Sequence, residues 1–118
     1  MKAALVISHG SRSAETKKEV EALVMRLKKK SGWPLIRLAF LEIEHPSISE
    51  GVDECVEHGA TEIKVLMSFL NSGRHVDQDV PRILDECRKK YPQVKIIQSS
   101  PVGQHPVIDD LFLELLGN

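Results

Sequence analysis

The sequence predicts an α/β protein: one domain over residues 1–118, built as three α/β/α layers around a four-stranded, mostly parallel sheet. Three observations carry that prediction. Short apolar runs of strand length alternate four times with stretches of helical periodicity. The connections between them are short and punctuated by Gly, Pro, Ser and Asn. The first run, Ala3 to Ile7, is apolar at every position, as a strand covered on both faces requires.

Each element follows from its own residues. After the first strand and the loop Ser8 to Arg12, a helix runs from near Ser13 to about Lys30, with Val20, Leu23, Val24 and Leu27 as its apolar stripe. Gly32 and Pro34 punctuate its exit, and Leu35 to Leu41 form the second strand. Pro46 and the capping box Ser47-x-x-Glu50 open a second helix carrying Ile48, Val52, Cys55 and Val56 on one side. His58 and Gly59 close it, the glycine tolerating a left-handed cap. The third strand spans about Glu62 to Phe69. The polar loop Asn71 to His75 then leads to a helix bearing Val80, Ile83, Leu84 and Cys87, with Pro81 in its first turn. Val94 to Ile97 is a short fourth strand. Pro106 starts a last helix, expected to turn Ile108, Leu111, Phe112 and Leu115 inward.

Composition narrows the function. A chain with 42% hydrophobic and 28% charged residues has the make-up of a folded protein, not a disordered one. A net charge of −1 and an aromatic share of 4% argue against nucleic acid or an anionic membrane as partner. Cys55 and Cys87 lie far apart at apolar helical positions, which points to buried free thiols. The opening strand is too short and wrongly flanked for a signal peptide, and no run could span a bilayer. A cytoplasmic protein is therefore expected.

Repeated β-α units imply right-handed crossovers, and in such sheets ligands bind beyond the carboxyl ends of the strands. His9 follows the first strand, Glu42 the second, and Asn71 to His75 the third. Two imidazoles and a carboxylate thus reach one sheet edge from three loops. Histidine nitrogen and carboxylate oxygen suit divalent metals such as Co²⁺, Ni²⁺, Fe²⁺ and Zn²⁺. The set is too small to saturate an ion, so a position stays open for exchange. Taken singly, each residue also has a plainer reading: His9 as a loop residue bonded to backbone, His75 as a residue at a helix start, Glu42 as a solvated carboxylate. His45 and His105, each before a proline, read as capping or turn residues, and His58 as a surface residue at a helix end.

Three segments bear a family resemblance: Ser8-His9-Gly10-Ser11-Arg12; Phe40-Leu41-Glu42 with Pro46-Ser47-Ile48; and Phe69-Leu70-x-x-Gly73-Arg74-His75-Val76-x-x-Asp79-Val80-Pro81. Together with Pro101-x-Gly103-x-His105-Pro106 they resemble the class II chelatases, and among these the short sirohydrochlorin cobaltochelatase type. The resemblance covers essentially the whole chain. It implies a chelatase-like fold and a lyase that inserts a divalent metal, cobalt first and iron or nickel as alternatives, into sirohydrochlorin during tetrapyrrole (cobalamin-type) biosynthesis. It implies that His9 and His75 bind the metal and accept pyrrole protons, with Glu42 assisting. The metal enters as substrate, and no permanently bound cofactor is expected. Many relatives carry two such halves in tandem, so the resemblance implies a homodimer that forms the cleft between two copies. An imidazole, with an ordinary pKa of about 6.5, can both ligate an ion and take up a proton near neutrality. For the carboxylate-rich macrocycle the candidate binding groups are Arg12, Arg74, Asn71, Ser72 and the backbone at Gly10 and Ser11.

Two rival functions use the same residues. A metal or tetrapyrrole carrier needs the ligands without turnover. A phosphoryl-transfer enzyme with a nucleophilic histidine commonly has Arg-His-Gly after its first strand, whereas here Ser8 precedes His9.

Overall fold

In the computed structural model residues 1–117 are described, position 75 by its backbone alone. Four strands, β1 (Lys2–Ser8), β2 (Leu35–Phe40), β3 (Glu62–Met67) and β4 (Lys95–Pro101), alternate with helices α1 (Ala14–Ser31), α2 (Ile48–Glu57), α3 (Val80–Lys90) and α4 (Val107–Leu116). The strands pair in the order β2-β1-β3-β4, and every pairing is parallel. The chain steps from β1 to β2 in one direction and then crosses back to β3 and β4 in the other. The change of direction lies between β1 and β3, and a crevice opens at such a point beyond the strand ends.

The central strand explains its own composition. Ala3, Leu5 and Ile7 belong to the core on one face with α2 and α3, while Ala4 and Val6 pack on the other with Val20 and Val24 of α1. All five are buried, so truncating Leu5 to Ala would cost roughly 2–5 kcal/mol. Gly51 sits inside α2 because a Cβ there would meet Leu5 Cδ1 at 2.9 Å and Ala39 Cβ at 3.0 Å. Its absence lets α2 lie close on the sheet. Ser47 accepts the Glu50 N–H and Glu50 accepts the Ser47 N–H, so the capping box is formed. Between α2 and α3, the Tyr91 hydroxyl and Lys90 ammonium both donate to Asp53, at 2.5 and 3.1 Å. That bonding holds the Asp53 carboxyl below its ordinary pKa, the Tyr91 hydrogen bond contributing most. Cys55 and Cys87 are free and buried, and burial pushes the Cys55 thiol up to about 11.

Element boundaries differ from expectation by a few residues, most at β4, which runs on to Pro101 instead of ending at Ile97. A π-helical turn, His75–Asp79, precedes α3. The inward-facing α4 is overturned. No residue of this helix is buried: Leu111 is 47% exposed, Phe112 54% and Leu115 75%, and Ile108 alone of the expected four is half-buried. After β4, a 3-10 turn at Val102–Gln104 carries the chain outward and sets α4 off from the sheet. Helical periodicity reports which side is apolar, not whether the same chain covers it. Among the described residues no helix is long and apolar enough to cross a membrane.

Candidate functional site

The turn after β1 fixes His9. Beyond the sheet, Leu41 N–H donates to Ser8 O at 2.9 Å and Glu42 N–H to His9 O at 3.1 Å, so the parallel pairing of β1 and β2 continues into the two loops. Gly10 makes this possible. Its φ is +102°, and a Cβ there would fall 1.9 Å from the Glu42 carbonyl oxygen. With the backbones zipped, the His9 and Glu42 side chains meet, Nε2 to Oε1 at 2.8 Å, each about half exposed.

The chain then turns sharply. Glu44 N–H donates to Glu42 O at 2.8 Å, and Ile43 between them has φ +71°. A β-branched residue in that region is strained, and such strain gathers at functional loops. The turn delivers the Glu44 carboxylate to the Ser11 N–H at 3.2 Å. Ser11 Oγ accepts from Ser13 N–H at 3.0 Å. The Ser11 backbone donor is therefore engaged by a carboxylate of the same chain.

On the other side of the crevice, the loop after β3 folds over His9. The Phe69 ring stands edge-on to the His9 imidazole, centroids 6.4 Å apart at 83°. His9, Phe69, Leu70, Asn71, Ser72, Gly73, Arg74 and Val76 line a cavity of about 330 Å³. Gly103 N–H donates to Phe69 O at 3.1 Å, and a Cβ at 103 would lie 1.6 Å from Leu70 O, so the segment after β4 is pressed against this loop.

The structure therefore brings together His9, Glu42, Asn71, Ser72 and Arg74 of the expected site residues. Arg12 is exposed and lies outside the lining of that cavity. His75 opens the π-helical turn next to the cavity-lining Arg74 and Val76, while its side chain lies outside the described residues. Among the described residues, no three His, Cys, Asp or Glu side chains converge as a metal-holding group. A carboxylate at this distance fixes the orientation of the imidazole, as carboxylates commonly do for ligating histidines.

Several contacts were not legible in the sequence. Glu44 and Phe69 join the site through the tight turn and the loop fold. His45 Nδ1 bonds Glu50 Oε1 at 2.7 Å, which ties the loop after β2 to the capping box. The Ser47 backbone bond, followed by the His45 contact, holds the Glu50 carboxyl down at about 2. His105 has the capping role expected of it, accepting from Val107 N–H at 3.1 Å. His58 likewise sits at the end of α2, bonded to Glu54 O and Arg37.

Comparison with known proteins places this geometry. The CbiX family model matches residues 3–118. A sirohydrochlorin ferrochelatase of Priestia megaterium is 33% identical over 97% of this chain, and a sirohydrochlorin cobaltochelatase of the same organism is 34% identical over 89%. The chain spans only 43% and 34% of those two relatives. A shorter relative, the sirohydrochlorin cobaltochelatase of Sulfolobus acidocaldarius, is 34% identical over 93% of this chain and 85% of its own length. Among solved structures, the sirohydrochlorin chelatase of Bacillus subtilis subspecies spizizenii in complex with cobalt superposes with a TM-score of 0.86 at 28% identity, over 98% of this chain and 50% of that one. A CbiX protein of Marinobacter aquaeolei VT8 has the same fold over 95% of its length, TM-score 0.86 at 22% identity. The family match over residues 3–118 and the shared four-stranded parallel architecture show that the chain belongs to the CbiX family.

Proposed function

We propose that this protein is a sirohydrochlorin chelatase, a lyase that inserts a divalent metal, Co²⁺ foremost, into sirohydrochlorin. The observation that carries the reading is the His9–Glu42 pair at 2.8 Å, seated at the point where the sheet changes direction and walled by the Phe69–Val76 loop. Relatives named for cobalt and for iron are about equally similar, so Fe²⁺ and Ni²⁺ are tested beside Co²⁺.

Insertion exchanges two pyrrole N–H protons for one metal ion. His9, oriented by Glu42, offers the incoming ion an imidazole nitrogen and then takes a pyrrole proton. Glu42 accepts that proton from the ring and, being half exposed, passes it to water. His75, by the motif it shares with the family, is the second ligand and proton acceptor. Arg74, Asn71 and Ser72 line the same cavity as His9 and bind the carboxylates of the macrocycle. The metal is substrate, and the protein retains no cofactor between turnovers. Two copies of the chain, as a homodimer, form the cleft that holds the ring. We place the reaction in the cytoplasm, in cobalamin-type tetrapyrrole biosynthesis.

The test is anaerobic incubation of protein, sirohydrochlorin and each metal, following the absorbance change against a protein-free control, because insertion also proceeds spontaneously. The expected result is a rate above control, largest with Co²⁺. Rates equal to control for all three metals, with metal still bound, would make the protein a carrier instead.

A further inference from the structure

The turn that follows β2 is a γ-turn of the rarer kind. Glu44 N–H donates to Glu42 O at 2.8 Å across a single residue, Ile43, whose φ is +71°. A β-branched side chain disfavours that conformation, so neighbouring contacts must hold it in place. On its near side the turn continues the pairing of β1 and β2, with Leu41 N–H on Ser8 O and Glu42 N–H on His9 O. On its far side Lys17 Nζ donates to His45 O at 3.1 Å, and Phe40 N–H to Pro46 O at 2.8 Å. A further hold comes from the half-buried Glu44, whose carboxylate accepts from Ser11 N–H at 3.2 Å. Two carboxylates two residues apart thus grip one loop, Glu42 by the His9 ring and Glu44 by the backbone two residues later. Between those two points lies Gly10, where the His9 loop takes its own positive φ of +102°.

We propose that Glu44 is a positioning residue for the insertion reaction: by holding Ser11 N–H it keeps the Ile43 turn closed, and the closed turn keeps the Glu42 carboxylate on His9. The inference rests on the chelatase reading above and adds a residue to it. The coupling is geometric. Glu42 has its backbone N–H on His9 O and its backbone carbonyl on Glu44 N–H, so the Cα that carries its side chain is set by the sheet on one side and by the turn on the other. Without the Glu44–Ser11 bond, Ile43 can return to a negative φ. The Glu42 carbonyl then rotates away from Glu44 N–H, and the adjoining side chain shifts with it. A misplacement of about 1 Å costs a well-oriented group up to about 100-fold in rate. Glu44 itself lies outside the lining of the His9 cavity, so it acts through Glu42 and not on the macrocycle. In this arrangement the Ser11 N–H serves the protein's own carboxylate instead of one from the substrate.

The experiment separates positioning from stability. Glu44→Ala should lower kcat for insertion about tenfold, with KM for sirohydrochlorin within about twofold and the urea midpoint close to wild type. Glu44→Gln retains an acceptor oxygen for Ser11 N–H and should keep kcat within about threefold of wild type. On a Glu42→Gln background, adding Glu44→Ala should cost less than about a further twofold, because the group it positions is already gone. The crystal structure of Glu44→Ala needs neither metal nor turnover. It should show Ile43 at negative φ and Glu42 beyond hydrogen-bond reach of His9. A changed KM with kcat intact, as large a loss in Glu44→Gln as in Glu44→Ala, full additivity with Glu42→Gln, or a Glu44→Ala structure with the turn and the His9–Glu42 pair intact would each overturn the proposal. A wild type that inserts metal no faster than the protein-free control fails the chelatase reading instead, and the crystal structure still decides whether Glu44 places Glu42.

Discussion

His9 can be oriented only because the backbone beneath it has no side chain. Gly10→Ala would press a methyl group into the Glu42 carbonyl and impose a left-handed conformation, so it should destabilise the fold by at least about 1 kcal/mol in urea unfolding and displace His9 from Glu42. The pair itself is tested more gently. Glu42→Gln keeps the size of the side chain but removes the proton acceptor. Turnover should fall by about tenfold or more, and Co²⁺ affinity by equilibrium dialysis should change less; an unchanged rate would make Glu42 a bystander. His9→Ala should lower the insertion rate by about 100-fold or more with little change in the unfolding midpoint, because the ring is about half exposed. That His9 and Glu42 meet was legible in the sequence, since each directly follows one of two strands that pair in parallel. That Glu44 reaches Ser11 was not, because it depends on a left-handed φ at Ile43, a residue type that does not advertise one.

At the level of elements, the start of α2 anchors the loop that carries Glu42. Ser47→Ala removes one side of the capping box and should cost about 1 kcal/mol. Glu50 adds a pH dependence whose sign follows from its lowered pKa. The carboxylate stabilises the folded state above its ordinary value of 4.5, and that contribution drains away as pH falls toward about 2. Urea unfolding across this range should therefore show wild type more stable than Glu50→Gln at neutral pH, with the two curves converging between pH 4.5 and 2. Curves that stay parallel would remove Glu50 from the account. All four helices and all four strands were legible from capping residues, glycines and periodicity. The misreading of α4 has a definite cause. Its leucines and phenylalanine fit the pattern of a core helix, but a pattern of apolar residues is equally satisfied by burial against another molecule, and nothing in a single sequence distinguishes the two.

For the whole molecule, the proposed homodimer makes each chain, with its His9 turn and Phe69–Val76 loop, one wall of the proposed cleft. Turnover per chain should then fall on dilution, in step with loss of the dimer, whereas a self-sufficient monomer would show constant specific activity. The Gly103–Phe69 contact joins the segment before α4 to the loop over His9. The central claim, that His9 with its Glu42 partner holds the metal to be inserted, is open to a direct measurement. A crystal soaked anaerobically in Co²⁺ and measured at the cobalt absorption edge should show an anomalous peak about 2.1 Å from a ring nitrogen of His9, with a second ligand from His75. Ordered imidazoles with no cobalt beside them, or cobalt bound only at other residues, would contradict it.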